Sequence, residues 1–567
     1  MQIKHITVLI FLTIATISRA QNTPLSIDDP QTYLWQRLDI KMPDNPVLRQ
    51  TTWKPFSRQS AGNVFNDIYN NSNVDITPID EANIERALKI NGYNKTKPFN
   101  FFQDPAHLVN ADNGNSGIIV DPMLGYEIGH DKTGGSLFRM SQGLGARGNL
   151  GKRWSYYFSY TYNRERDPQY VQDFVNARQG LPGAQTYRVK GRGHNIYEYN
   201  DVRGGIAFQV SKHVDLQAGY DQFFLGEGVR SLYLSDFAAP FYFVKLHGQV
   251  GRVSFSSVAA RTIAPFGSIN NGITDQSSPA NLMVFHYVSW QATRWLKLGF
   301  YENNMYNMEI NGGVQIGMMN PFVLTKSMSQ NVGNSGKSSI GLDAKANIAK
   351  HVQLYGQLLI NEFVASEVFK FGRASWRNKQ GIQLGGKYID AFTIKNLDLQ
   401  AEWNHVRPFT YTDKWAVNNF QHDNLPLAHP LGANFDEYVA VARYQPLKRL
   451  YLSAMLIAAN KGLDSASYKT VSTQNWGGDI FRNYIDGNNF YGKSGDEGSV
   501  ATADSRNPNI VKSLLGQFLI SYEVAPGLFL DGGLTGRKYD ISGQPNNHTV
   551  YYNFGFRWNM GRRLFLF

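Results

Sequence analysis

The chain has 567 residues, no cysteine and a formal charge of +11, from 56 Lys and Arg against 45 Asp and Glu. Lack of cysteine excludes disulfides, a cysteine-ligated zinc and a thiol nucleophile. Aromatic residues reach 13% while hydrophobic residues total only 42% and mean hydropathy is -0.36, which excludes a helical membrane protein, whose spans need about 20 consecutive apolar residues each.

In chain order, Lys4 and His5 precede an apolar run from Ile6 to Ile17 and the small-residue pattern Ser18-Arg19-Ala20. This predicts a secretory signal peptide over residues 1–20, cut after Ala20; the run is too short for a membrane anchor. Residues 21–116 carry two helical patterns. Val64, Phe65, Ile68 and Tyr69 share one face; Thr77 stands as N-cap before Pro78, with Ile84, Ala87 and Leu88 at helical spacing and Gly92 as the stop. A small helical region on the periplasmic side, packed against or plugging the remainder of the chain, is expected here.

Over residues 117–567 the period becomes two. Trp154, Tyr156, Phe158 and Tyr160 alternate with Ser155, Tyr157, Ser159 and Thr161, and Leu397, Leu399, Ala401 and Trp403 alternate with Asp398, Gln400, Glu402 and Asn404. About eighteen such runs of about ten residues each match strands that cross a bilayer at a tilt. Their starts are expected near residues 118, 136, 153, 202, 213, 240, 251, 283, 295, 338, 351, 380, 396, 437, 449, 513, 527 and 549. Connections after even-numbered runs, such as Ser211-Lys212, Thr293-Arg294 and Ala349-Lys350, are very short, whereas most others are long. Short periplasmic turns and long outer loops are the pattern of an outer-membrane barrel, and an even count lets the sheet close without an edge, as hydrocarbon requires. The expected fold is therefore all-β: a closed antiparallel transmembrane β-barrel. Trp154, Tyr220, Trp403 and Trp558 lie near strand ends, where interfacial girdles form. The last run, Val550 to Met560, with the following Leu564-Phe565-Leu566-Phe567, reads as a terminal aromatic strand recognised by the barrel-assembly machinery. The basic chain suits outer-membrane lipid and lipopolysaccharide as neighbours.

Two segments carry distinctive motifs. The first holds Gly226, Gly228, Ser231, Leu232, Leu234, Ser235, Asp236 and Pro240, and the second holds Thr410, Tyr411, His429, Pro430, Leu431 and Gly432. They resemble the Wzi family of outer-membrane capsule-assembly proteins. Within it the chain is most similar to the Bacteroidetes branch that includes the gliding-motility protein RemB. The resemblance implies an eighteen-stranded barrel with a periplasmic helical region, outer loops that close the lumen, and a role in organising surface polysaccharide or in gliding with other surface components.

Gly226-x-Gly228-x-x-Ser231 lacks the helix and lysine of a phosphate loop. It is expected to bend between two strands and place Glu227, Arg230 and Asp236 as a charged cluster at the outer mouth. His405, His422 and His429 with Asp413, Asp423 and Asp436 match no tight metal spacing. Ser235, His429 and Asp436 lack the surroundings of a hydrolase serine. No enzymatic activity, cofactor, metal or nucleic-acid partner is expected. Loop aromatics Tyr411, Trp415, Trp476, Tyr484 and Tyr491, beside Asn, Asp, Arg and Lys, have the chemistry to stack on sugar rings and bond their hydroxyls, and with Glu227, Arg230 and Asp236 they form the candidate ligand set. The competing expectation is a porin or transporter with an open lumen.

Overall fold

In a computed structural model, residues 23–567 are described apart from 26, 28, 71–74, 93–99, 102–105, 114, 192, 194, 265–278, 309–311, 315, 321–335, 363–377, 465–473, 483, 485–487, 490–509, 542, 543 and 546. The proposed leader and Tyr491 lie outside the described residues.

Eighteen antiparallel strands close into one barrel. In order they are Gly117–Asp131, Gly135–Leu150, Trp154–Arg166, Ile196–Ser211, Val214–Asp221, Phe241–Val250, Val253–Ile263, Ala280–Gln291 and Leu296–Asn307. The second half comprises Lys337–Ile348, Val352–Glu362, Lys379–Tyr388, Leu397–Val406, Phe435–Leu447, Leu450–Gly462, Ile510–Ala525, Leu528–Ile541 and Asn547–Trp558. Closure is made by the last strand against the first, from Tyr551 opposite Asp131 to Trp558 opposite Leu124. Every strand thereby finds two neighbours, which satisfies the backbone where no water can.

The alternation sorts side chains as the sequence predicts. Asp398, Gln400, Glu402 and Asn404 are buried inward, while Leu144, Phe158, Ile206, Tyr242 and Phe554 are among large apolar residues exposed on the outer face. The fourth strand begins at Ile196, earlier than expected. The last strand stops at Trp558, so Leu564 to Phe567 do not extend it. Residues 559–567 instead turn into the lumen.

Three helices precede the barrel: α1 (Pro30–Lys41), α2 (Arg58–Tyr69) and α3 (Pro78–Ile90). Helix α3 starts with a capping box in which Thr77 and Asp80 satisfy each other's backbone donors. Val64, Phe65, Ile68, Ile84, Ala87 and Leu88 join Leu34, Trp35 and Leu38 in one apolar cluster. Helix α1 has no expected counterpart because its polar side is buried too: Arg37 and Asp39 are covered, so no apolar stripe marks it. Arg37 pairs with Asp80 at 2.7 Å, Asp390 at 2.5 Å and Asp398, and Asp39 accepts from Lys345 Nζ at 2.7 Å. The helices thus sit at the short-turn end of the barrel and are tied into its lumen. A fourth helix, α4 (Gln169–Arg178), lies in the long connection after the third strand. Among the described residues no helix is long and apolar enough to cross a membrane.

Candidate functional site

Two connections from the long-loop end, residues 222–240 and 407–434, fold down into the lumen and pack on each other. Leu225, Leu232, Tyr233 and Leu234 of the first join Phe420, Leu425, Leu427 and Ala428 of the second in one cluster with the inward strand residues Met283, Phe285, Tyr287 and Tyr301. The motif residues make the joint. Ser235 donates its hydroxyl to Ala428 O, and its N–H to Leu427 O at 2.8 Å. Ser231 Oγ donates to Leu225 O at 2.5 Å and accepts from Tyr233 N and Leu234 N, fixing the bend. Pro240 O meets His422 Nε2 at 3.1 Å. In the second segment Gly432 takes φ of 72°, a left-handed conformation that suits glycine, and its N–H closes a turn on His429 O at 2.9 Å, with Pro430 inside the turn.

Gly228 is needed for close approach. A Cβ there would lie 2.2 Å from Glu402 Oε2 and 2.8 Å from Arg230 O. The Glu402 carboxylate accepts from Val229 N at 2.8 Å, Arg230 N at 3.1 Å, Tyr355 Oη at 2.9 Å and Asn404 Nδ2 at 2.9 Å. The segment also meets the N-terminal region: Trp53 and Lys54 pair antiparallel with Leu225 and Phe224, and Gly226 N donates to Thr52 O at 2.7 Å.

The charges do not form an outer-mouth cluster. Glu227 and Arg230 are 5% and 6% exposed, inside the lumen. Glu227 accepts from Thr51 and Thr52 hydroxyls at 2.7 Å each and lies 3.6 Å from both Lys297 and Lys345. Burial alone would raise its carboxyl; Lys345, Lys297, Lys387 and Lys54 overcome that and hold it below the ordinary range. Burial lowers Lys54 to about 8 against the pull of Glu227, and its Nζ donates to Gly226 O at 2.9 Å. Arg230 pairs with Glu437 at 3.0 Å and donates to Leu566 O. His429 Nε2 meets the same Glu437 carboxylate at 2.8 Å, so one acid joins both motif segments. The expected positions fail because a carboxylate or guanidinium in a loop looks solvated in sequence, whereas here partners supplied by distant strands make its burial tolerable.

The loop aromatics divide. Tyr411 and Trp476 are 2% and 1% exposed, contrary to a ligand-facing role. Tyr411 donates its hydroxyl to Leu232 O at 2.8 Å, and Trp476 packs on Phe409. Trp415 is 53% exposed, with Lys414 Nζ 5.6 Å from its ring. Tyr484 is half-buried beneath Lys379 Nζ, 3.8 Å from its ring centre. The histidines separate as well: His405 pairs with Asp436 at 2.8 Å, away from His429 and its Glu437, and Ser235 bonds main chain rather than imidazole.

Beside the packed half of the lumen lies a cavity of about 860 Å³. Asp236 lines it together with Arg139, Arg203, Arg557 and Arg563. Residues 559–567 run along it, and Phe567 packs on Phe174 of α4 at 4.5 Å and on Phe237 at 5.6 Å between ring centres, joining the tail to both the outer helix and the first lumen segment. The sequence reading missed this tail and Glu437. An inward-facing acid beside the H-P-L-G turn was the available signal for Glu437.

No family model matches the chain and no curated protein does. Among solved structures it is similar to Wzi from Escherichia coli, described as an outer-membrane protein involved in group 1 capsule assembly and a carbohydrate-binding β-barrel. The match has TM-score 0.53 and 11% identity, and covers 95% of this chain and 100% of that one. OprD from Pseudomonas aeruginosa matches with TM-score 0.40 and 10% identity over 78% of this chain and 94% of that one. OccAB2 from Acinetobacter baumannii matches with TM-score 0.40 and 10% identity over 78% and 98%. What the chain shares with Wzi at this identity is the fold, along nearly all of this chain and the whole of that one.

Proposed function

We propose that this protein is a non-enzymatic outer-membrane barrel that holds surface polysaccharide, with its short turns and helices α1–α3 in the periplasm and its long loops at the cell surface. The observation that carries the reading is the filled lumen: two loop segments, an N-terminal strand and residues 559–567 occupy the space a pore would need. The whole-length likeness to a carbohydrate-binding barrel supports the ligand class. Trp415, exposed beside Lys414 at the long-loop end, supplies a ring face and a cation suited to an anionic sugar, and the half-buried Tyr484 supplies a second ring. Lipopolysaccharide and the barrel-assembly machinery are its neighbours in this setting, and a part in gliding follows if the held polymer transmits force. The test is binding of the producing cell's surface polysaccharide to the purified barrel. Trp415→Ala should weaken binding with the barrel intact; unchanged binding removes Trp415 from the site. Deleting the protein and scoring capsule attachment and gliding separately decides between those roles. The 860 Å³ cavity favours a second reading, a channel, and stable conductance of the wild type in planar bilayers would establish it.

A further inference from the structure

The short-turn rim of the barrel has an unbalanced charge. Of the connections that turn there, each except Pro526-Gly527 carries Lys or Arg. Lys152 and Arg153 occupy one turn, Lys212 the next, then Arg252, Arg294, Lys350, Lys395, and the pair Lys448 and Arg449; all are exposed. The one acid in these turns, Asp390, points inward to Arg37 and Lys41. Arg294 has Asp44 at 3.6 Å and Lys448 acts on Glu85 of α3 from a distance; among the described residues the others make no salt bridge. At the opposite rim several cations are partnered, Lys190 with Glu198 at 2.9 Å, Arg178 with Asp479 at 3.0 Å and Lys379 with Glu362 at 2.9 Å.

The height of these cations is set by their flanking residues. Leu150 and Trp154, 58% and 46% exposed, bracket Lys152 and Arg153; Val250 and Val253, 68% and 43% exposed, bracket Arg252; Leu447, 59% exposed, precedes Lys448. Trp290 and Trp295, 50% and 52% exposed, lie on either side of the Arg294 turn. Exposed apolar and indole side chains on a barrel's outer face belong at the edge of the hydrocarbon, so the adjoining ammonium and guanidinium groups stand at headgroup level. The collar runs from the turn after the second strand to the turn after the fourteenth instead of forming a patch on one side, and neighbouring hairpin turns are roughly 10 Å apart, two strand spacings. A soluble acidic partner would engage one flank; a ring of this kind meets a surface that surrounds the barrel.

We propose that this collar of turn cations is a docking surface for anionic phospholipid headgroups of the leaflet at the short-turn end, anchoring the barrel vertically. It is independent of what the long loops hold. The lysines act as mobile point charges and the arginines as two-pronged donors to phosphate oxygens.

The test reconstitutes the full chain in phosphatidylcholine vesicles containing a trace of spin-labelled phosphatidylglycerol or spin-labelled phosphatidylcholine, and measures the motionally restricted fraction of each label. One Lys or Arg near an anionic surface changes partition about fivefold, so the wild type should associate several-fold more with phosphatidylglycerol. The variant Lys152→Gln, Arg153→Gln, Lys212→Gln, Arg252→Gln, Lys350→Gln, Lys448→Gln, Arg449→Gln, which retains only Arg294 and Lys395 of the collar, should lower the ratio toward parity, while Lys190→Gln with Lys538→Gln, at the other rim, should leave it high. Raising salt from about 0.05 M to about 0.5 M should reduce the wild-type ratio as screening shortens, a readout that stands if the multiple variant fails to insert. Parity in the wild type, a preference that survives salt and the collar substitutions, or a preference lost with the Lys190 and Lys538 pair would each overturn the proposal.

Discussion

Substituting Gly228 by Ala tests whether the first lumen segment is held by the contact that glycine permits. The new Cβ would lie 2.2 Å from Glu402 Oε2 and 2.8 Å from Arg230 O. The carboxylate tip can swing away, but that breaks its bonds to Val229 N and Arg230 N, and the Arg230 carbonyl is main chain and cannot yield so cheaply. Two buried N–H groups left unpaired at about 1–3 kcal/mol each amount to about 2–6 kcal/mol. The barrel's strand ladder does not include Gly228, so the cost falls on docking of residues 222–240, not on the sheet. Hydrogen exchange of the full chain in detergent, read by mass spectrometry, should show protection over residues 226–235 falling by at least roughly thirtyfold, the lower bound of that range. Heat-modifiable migration should remain. Protection within about threefold of wild type would refute the close-approach argument, because it is below even one lost buried hydrogen bond.

Arg230→Met should destabilise the same joint by about 3–5 kcal/mol by leaving Glu437 buried without its guanidinium, and combining it with Glu437→Gln should cost less than the sum of the two; additive losses in thermal unfolding would show that they do not act as a pair. Acidification should loosen the second segment. Burial holds His429 below its ordinary value, with Glu437 opposing and Arg230 and Lys461 reinforcing, whereas the opened segment returns it to about 6.5. The opened form therefore takes up a proton that the docked form refuses, and docking weakens as pH falls below about 6.5. Exchange protection over residues 428–434, corrected for intrinsic rates, should drop between pH 7 and 5.5 in the wild type and stay flatter in His429→Gln; parallel curves would refute the assignment. Trp476→Ala, by contrast with the exposed Trp415, should cost about 3–5 kcal/mol of local packing, visible as loss of thermal stability in the outer loops; no change in stability would show that its burial contributes nothing.

The strands were legible because their signal is local. Leu397 to Asn404 alternates strictly, and the inward set Asp398, Gln400, Glu402 and Asn404 is the one the barrel buries. The turns and their parity followed from the same period. Helix α3 was equally plain from Thr77, Pro78 and the spacing of Ile84, Ala87 and Leu88. Helix α1 escaped because burial on all sides, with Arg37 and Asp39 neutralised by Asp80, Asp398 and Lys345, removes the apolar stripe that periodicity detects.

The sequence by itself determined the class of the protein, since a period of two, an even strand count and short turns on one side leave a closed barrel as the arrangement that satisfies every backbone group in hydrocarbon. It also marked the two motif segments. Only the tertiary structure decided that these segments lie inside the barrel and meet at Glu437, that Tyr411 and Trp476 are packing residues while Trp415 is exposed, and that residues 559–567 line the lumen. Each of those outcomes depends on which partner a side chain finds hundreds of residues away, and burial of a charge or a ring is set by that partner, which no local pattern records.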